Sequence, residues 1–189
     1  MKDISDISAV NERTTGSLLR QTVCVIPTYN ASRYWGPLQN ALQQQGLLPD
    51  QVLIIDSSST DDTSELVKRA GYQLTTIPKD TFRHGATRQL AVESLPYAEI
   101  LIYLTQDALP CGENSFQNLL SAFAQPEVGA CYGRQLFRAE ADPIEQHARL
   151  FNYKDRSEIR TFESRRDMGL RAAFFSNSFA AYRLSLIHI

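Results

Sequence analysis

Twice in this chain an unbroken apolar run delivers one carboxylate at its end. Val52-Leu53-Ile54-Ile55 leads into Asp56, and Ile100-Leu101-Ile102-Tyr103-Leu104 leads through Thr105-Gln106 into Asp107, with Pro110 close behind. A run of that length without polar alternation suits a strand covered on both faces, as in the middle of a parallel sheet. Ligands in open α/β sheets bind beyond the carboxyl ends of the strands, so acids standing there are placed for chemistry. One such Asp is explained equally well as the cap of a turn. Two of them, on two buried strands, are harder to assign to turn chemistry alone.

The rest of the chain repeats a strand-then-helix unit. Residues 1–20 carry only a weak Ile4/Ile7 pair and read as a mobile leader ahead of a domain starting at Thr22. Val23-Cys24-Val25-Ile26 reads as a first buried strand stopped by Pro27, which has no N–H for a ladder, and Thr28-Tyr29-Asn30 as a polar loop at its end. Ser32 is placed to cap a helix over 33–45 with Leu38, Ala41 and Leu42 inward and Gly46 at its left-handed terminus. After Asp56, the small polar cluster at 57–63 offers Ser59 or Thr60 as cap for a helix over 65–70. Asp61 and Asp62 would complement the dipole of its first turn.

Residues 73–77 alternate, as a less buried strand does, and 78–83 form a loop. His84-Gly85-Ala86-Thr87-Arg88 then opens a helix reaching about Leu95, with Leu90, Ala91 and Leu95 inward. Arg83, His84 and Arg88 crowd that helix start, where the dipole disfavours cations unless an anion is bound too. A phosphate resolves the conflict; a solvated basic turn is the plainer account. Further on, Phe116, Leu119, Leu120 and Phe123 mark a helix over 113–123, residues 128–137 a strand containing Gly129 and Gly133, and 143–151 a short helix. The charged stretch 153–171 reads as solvated loop, and 172–182 as a mixed apolar segment holding Ser176-Asn177-Ser178. At least four alternations of strand and helix predict an α/β domain with a mostly parallel central sheet and helices on both faces.

Composition narrows the function classes. With 43% hydrophobic and 21% charged residues the chain reads as an ordinary globular protein of one domain, and its net charge of −2 argues against a dedicated nucleic-acid partner. Cys24, Cys111 and Cys131 have neither zinc-ligand spacing nor a disulfide pattern, which fits a reduced, cytoplasmic setting. The N-terminal residues lack the apolar core of a signal peptide, and no stretch has the length of a membrane span. Dinucleotide, P-loop and nucleophile-elbow motifs are all absent. What remains is a nucleotide-type site of strand-end carboxylates and a basic helix start.

Four segments in order carry a family resemblance: Val-Cys-Val-Ile-Pro-Thr-Tyr-Asn at 23–30, Asp-Ser-Ser-Ser-Thr-Asp-Asp-Thr at 56–63, Phe-Arg-His-Gly-Ala-Thr-Arg at 82–88, and Leu-Thr-Gln-Asp-Ala-Leu-Pro at 104–110. Together they resemble the family 2 inverting glycosyltransferases of GT-A fold, and within them the bacterial rhamnosyltransferase branch. The resemblance implies a nucleotide-sugar-binding half over 22–137 and an incomplete acceptor half over 138–189. It implies a donor site of Pro27, Thr28, Tyr29, Asn30, Asp56, Ser58, His84, Gly85, Arg88, Gln106 and Asp107. In that site Pro27 and Tyr29 flank the base, Asp56 meets the base or ribose, and Arg88 lies near the nucleotide.

Asp107 matches the last Asp of the family's Asp-x-Asp motif and would hold Mg2+ or Mn2+ on the diphosphate. Thr105 stands where the first Asp usually is, so phosphates and water would complete the shell and metal alone should bind weakly. The implied activity moves a sugar, rhamnose from its dTDP derivative, or a UDP-linked sugar, to a saccharide or lipid-linked acceptor of a surface polysaccharide such as O-antigen. A lipid-linked acceptor would bring the protein peripherally to the inner face of the cell membrane. A nucleotide-sugar-binding module without catalysis is the alternative; a nucleotidyltransferase would show a glycine-rich basic loop after the first strand. No acid follows Asp167, and the family's general base falls beyond the segment matched by 176–183. The chain as given is therefore expected to stop short of its catalytic base and to bind donor without completing transfer.

Overall fold

A computed structural model describes residues 12–187. Six strands form one sheet: β1 (Thr22–Thr28), β2 (Val52–Asp56), β3 (Gln73–Thr76), β4 (Ile100–Leu104), β5 (Ala130–Tyr132) and β6 (Phe179–Arg183), in the order β3-β2-β1-β4-β6-β5. The first four pair in parallel, and β6 runs antiparallel between β4 and β5. The expected mixed α/β architecture with a mostly parallel sheet is what the chain adopts.

Helices α1 (Glu12–Arg20), α2 (Ser32–Gln43), α3 (Thr63–Arg69), α4 (His84–Ser94), α5 (Ser115–Leu120), α6 (Pro143–Asn152), α7 (Arg165–Met168) and α8 (Leu184–Ile187) complete the order. One sheet face presents Cys24, Ile26, Ile54, Ile102 and Leu104 to Trp35, Leu38 and Leu42 of α2, Val67 of α3 and Phe116, Leu119 and Leu120 of α5. The other presents Val23, Val25, Ile55, Leu101 and Tyr103 to Ala91 and Val92 of α4 and to Leu184. Every residue of β2 and β4 is buried, which explains their unbroken apolar runs.

Three expectations need correction. The leader is helical over Glu12–Arg20, with Leu18 and Leu19 packed on the core, while residues 1–11 and the Ile4/Ile7 pair lie outside the described residues. The first strand runs through Pro27 to Thr28. Thr28 presents its carbonyl to the Ser57 N–H on the β2 side (2.9 Å), so by strand alternation Pro27 faces β4, whose ladder with β1 has already ended at Val25–Tyr103. The missing N–H therefore forfeits no rung. The strand expected over 128–137 keeps only Ala130–Tyr132, because its partner β6 begins at Phe179: the last bond is from the Gly133 N–H to the Phe179 carbonyl (2.9 Å), at a point so close that a Cβ on Gly133 would stand 2.4 Å from Phe179 Cδ1. Among the described residues no helix is long and apolar enough to cross a membrane.

Candidate active site

β1, β2 and β3 lie to one side of the β1–β4 boundary and β4 to the other, so the chain reverses direction of winding between β1 and β4. The carboxyl ends of those two strands flank the crevice where such sheets take ligands. Four loops meet there, carrying residues 28–32, 56–63, 77–84 and 105–108.

The loop after β1 is held by side chains from its neighbours, amide by amide. The Tyr29 N–H donates to Gln106 Oε1 (2.8 Å), Asn30 N–H to Ser59 Oγ (2.9 Å), Ala31 N–H to Thr63 Oγ1 (2.8 Å) and Ser32 N–H to Asp61 Oδ2 (3.0 Å). Asn30, at φ 47°, returns its side-chain carbonyl to the Thr60 N–H (2.9 Å). The Ala31 and Ser32 amides at the start of α2 are thus satisfied from outside the helix, and Ser32 is not its cap. Asp61, expected to serve the dipole of α3, instead spans both helices, since its Oδ1 accepts from the Thr63 N–H (3.0 Å).

Asp56 is fully buried. Its Oδ1 accepts from the Thr28 hydroxyl (2.8 Å) and the Ser59 hydroxyl (2.5 Å), and its Oδ2 from the Ser59 N–H (2.8 Å) and the Ser64 hydroxyl (3.4 Å). Four donors fill a carboxylate's lone-pair sites. Thr28, buried as well, spends its hydroxyl on Asp56. Both residues therefore organise the loops in this structure, a different use from the direct ligand contact expected of them. Ser58 is exposed, at φ 57°, with its hydroxyl on the Ile77 carbonyl (2.8 Å).

Burial alone would raise the Asp61 carboxyl, but hydrogen bonds from the Thr63 and Ser32 hydroxyls and from both residues' N–H groups outweigh it and bring the group down to about 2. A carboxyl held lower in the folded chain than its unfolded value of about 3.9 stabilises fully above that value, and its share is lost as pH falls toward the folded one. Asp61→Asn should therefore lose less stability than wild type between about pH 4 and pH 2. Urea midpoints at pH 6 and pH 3 measure this; the same drop in both proteins would remove Asp61 from the role.

Across the crevice, Arg83, His84 and Gly85 open α4 exposed to solvent. Arg88 sits one turn in, its guanidinium carbon 5.6 Å from the Tyr103 ring centroid and its Nε buried without a partner. The Thr87 hydroxyl beside it is also buried and unpartnered. Asp107 lies in the turn past β4 rather than at the strand end; its side chain is exposed, and its carbonyl accepts from Arg138 (3.1 Å). Among the described residues neither the Asp107 carboxylate nor the His84 ring makes a hydrogen bond or ion pair. Lys79, which carries no sequence signal, reaches over the loop after β1: its Nζ lies 4.4 Å from the Tyr29 ring centroid and donates to the Tyr29 hydroxyl (2.6 Å).

Among the described residues no three His, Cys, Asp or Glu side chains gather as a metal-binding group. Asp107 alone offers one exposed carboxylate, which fits the mode in which a hard cation takes one or two carboxylates and fills its shell with phosphate and water oxygens. Of the acids in the charged stretch, Glu158 is held below the usual range by a hydrogen bond from Arg160, and Glu163 by one from the Thr161 hydroxyl. A lowered pKa makes each a weaker base. The stretch is not simply solvated, since Arg160 is mostly buried and ties Glu158 to the Arg171 and Phe174 carbonyls.

Residues 23–188 match the family model described as Glycosyl transferase family 2. Two curated relatives are O-antigen chain rhamnosyltransferases, RfbN of Salmonella typhimurium and WbaN of Salmonella anatum, each 39% identical over 163 residues. Each alignment covers 86% of this chain and 52% of the relative, so the chain spans about half the length of the curated relatives it matches. Among solved structures, the mannosyltransferase PcManGT of Pyrobaculum calidifontis in complex with GDP-Man and Mn2+ superposes with a TM-score of 0.58 at 24% identity, covering 88% of this chain and 45% of that one. That likeness speaks to the GT-A fold.

Proposed function

Because the chain belongs to glycosyl transferase family 2, we propose that it binds a nucleotide-sugar and serves transfer of a rhamnosyl group, with inversion, from dTDP-L-rhamnose to a saccharide or lipid-linked acceptor of a surface polysaccharide. Likeness to the two O-antigen rhamnosyltransferases supports the sugar and the product. The observation that carries the donor site is the asymmetry of the crevice: the amides of residues 29–32 that lead into α2 are already taken, one by a carboxylate, while the start of α4 is cationic and open. A phosphate beside Asp61 would meet a like charge; at the start of α4 it meets the Arg83 and Arg88 guanidinium groups and the uncapped amides of the first turn.

On this reading the nucleoside lies over Pro27, Tyr29, Asn30 and Ser58, and the diphosphate between the His84–Gly85–Arg88 group and Asp107. Residues 22–137 form the donor half and residues from 138 on contribute to the acceptor side. Asp107 would hold Mg2+ or Mn2+, whose chemistry is to stabilise the charge of the departing diphosphate. The chain's own contribution is to bind and orient the donor and to offer cations along the leaving group. The proposed setting is cytoplasmic, with peripheral contact at the inner membrane face through a lipid-linked acceptor. A binding module without catalysis is the second reading, favoured by the weakened basicity of Glu158 and Glu163.

Titration with dTDP, UDP and GDP, with and without Mn2+, followed by a donor-hydrolysis assay, tests both: no binding sinks both readings, hydrolysis or transfer excludes the module, and binding without either is the outcome expected of a chain that stops short of its catalytic base. Arg88→Ala should cost a diphosphate about 1.5–3 kcal/mol more than a nucleoside, the worth of a charge-assisted hydrogen bond. Equal losses for the two ligands would refute the placement of Arg88.

A further inference from the structure

The ladder between β1 and β4 ends at Val25–Tyr103, yet four residues further along the first segment and three along the second the two are joined again. The Gln106 side chain accepts from the Tyr29 N–H (2.8 Å) and donates Nε2–H to the Tyr29 carbonyl (3.2 Å). A primary carboxamide carries a C=O and an N–H side by side, so here one side chain satisfies the two backbone groups of a single residue, a task that in a sheet falls to two peptide groups of the neighbouring strand. Because the Tyr29 N–H needs an acceptor and its carbonyl a donor, the orientation of the amide is decided by its partners. This bridge crosses the crevice between two loops separated by 77 residues in sequence. The two strands have diverged there, and among the described residues no other hydrogen bond fastens the backbone of Tyr29.

Resting on the donor reading above, we propose that Gln106 is a positioning residue: it does not touch the donor but fixes the Tyr29 backbone, so that the Tyr29 ring, steadied at its hydroxyl by Lys79, is held in place as a platform for the nucleoside base. Both polar ends of the Gln106 side chain are spent on Tyr29, which leaves it one amide hydrogen and no better-placed acceptor for a ligand. The ring it aims is only partly buried, and an aromatic face of that kind accepts a base by stacking.

The test is a double-mutant cycle of Gln106→Ala and Tyr29→Ala, read as dTDP affinity of the 189-residue chain with Mn2+, alongside amide hydrogen exchange at residue 29 and the unfolding midpoint. In the wild-type background Gln106→Ala is expected to weaken dTDP roughly tenfold, through loss of the two hydrogen bonds that fix the Tyr29 backbone, and to speed exchange of the Tyr29 amide. In the Tyr29→Ala background the same change should cost less than twofold, because the platform it aims is gone. Inorganic pyrophosphate, which has no base, should bind Gln106→Ala as it binds wild type. A full tenfold loss persisting in Tyr29→Ala would mean that Gln106 meets the donor itself, and an unchanged affinity or an unchanged Tyr29 exchange rate would equally overturn the proposal. Should wild type bind none of dTDP, UDP or GDP, the donor reading falls first and the positioning role with it; altered exchange without nucleotide binding is the signature of that case. The unfolding midpoint and the unchanged pyrophosphate affinity of Gln106→Ala give the check against a fold defect, and Gln106→Glu, which keeps the acceptor for the Tyr29 N–H but sets an oxygen against the Tyr29 carbonyl, should lose dTDP affinity as alanine does.

Discussion

Replacing Asp56 with alanine is expected to cost the fold about 3–5 kcal/mol, the sum of several buried donors left without an acceptor. The Thr28 hydroxyl, the Ser59 N–H and the Ser59 hydroxyl all end on this carboxylate, and the residue is fully buried, so water cannot take its place without opening the loop. Against a typical stability of about 5–15 kcal/mol for a domain, a loss of that size leaves a folded but markedly weakened protein. The loop after β2 should loosen with it, and because Ser59 also holds the Asn30 amide, the loop after β1 should loosen too. Nucleotide affinity should therefore fall with and without metal, although Asp56 itself is covered. Urea unfolding measures the first effect and titration in the cold the second. A variant within about 1 kcal/mol of wild type would mean that the donors find other partners and that the carboxylate is not the organiser of these loops.

Asp107→Asn should behave in the opposite way. Its carboxylate is exposed and makes no hydrogen bond among the described residues, so stability should stay within about 0.5 kcal/mol of wild type. Manganese-dependent binding of a nucleoside diphosphate should weaken by about 2–3 kcal/mol, roughly 30- to 150-fold, because an amide oxygen replaces the one carboxylate the chain offers the cation. Metal-free binding should be unchanged. Unaltered affinity in the presence of Mn2+ would end the metal assignment, and a loss seen without metal would move Asp107 onto the donor itself.

The two aspartates show where reading residues in order succeeds and where it stops. Burial on both faces leaves a plain local record, so the unbroken apolar runs located β1, β2 and β4, and the stripe Phe116, Leu119, Leu120 and Phe123 located α5. The order of those elements predicted the sheet, and the polar residues at strand ends placed the crevice. The four motif segments carried the family, and residues 23–188 match its model.

What each polar group bonds to was decided only in three dimensions. Thr28 finds Asp56 across 28 residues, Ser32 finds Asp61 across 29, and Tyr29 finds Gln106 across 77. Hence Asp56 turned inward, Asp61 joined the start of α2 to that of its own helix, and Lys79 reached the Tyr29 ring unannounced. The antiparallel entry of β6 between β4 and β5, and the helix Glu12–Arg20, belong to the same class. Apolar periodicity reports whether a residue is covered, which depends on its own element. A hydrogen-bond partner is a property of two distant loops brought to one edge of a sheet, and only the folded chain chooses the pair.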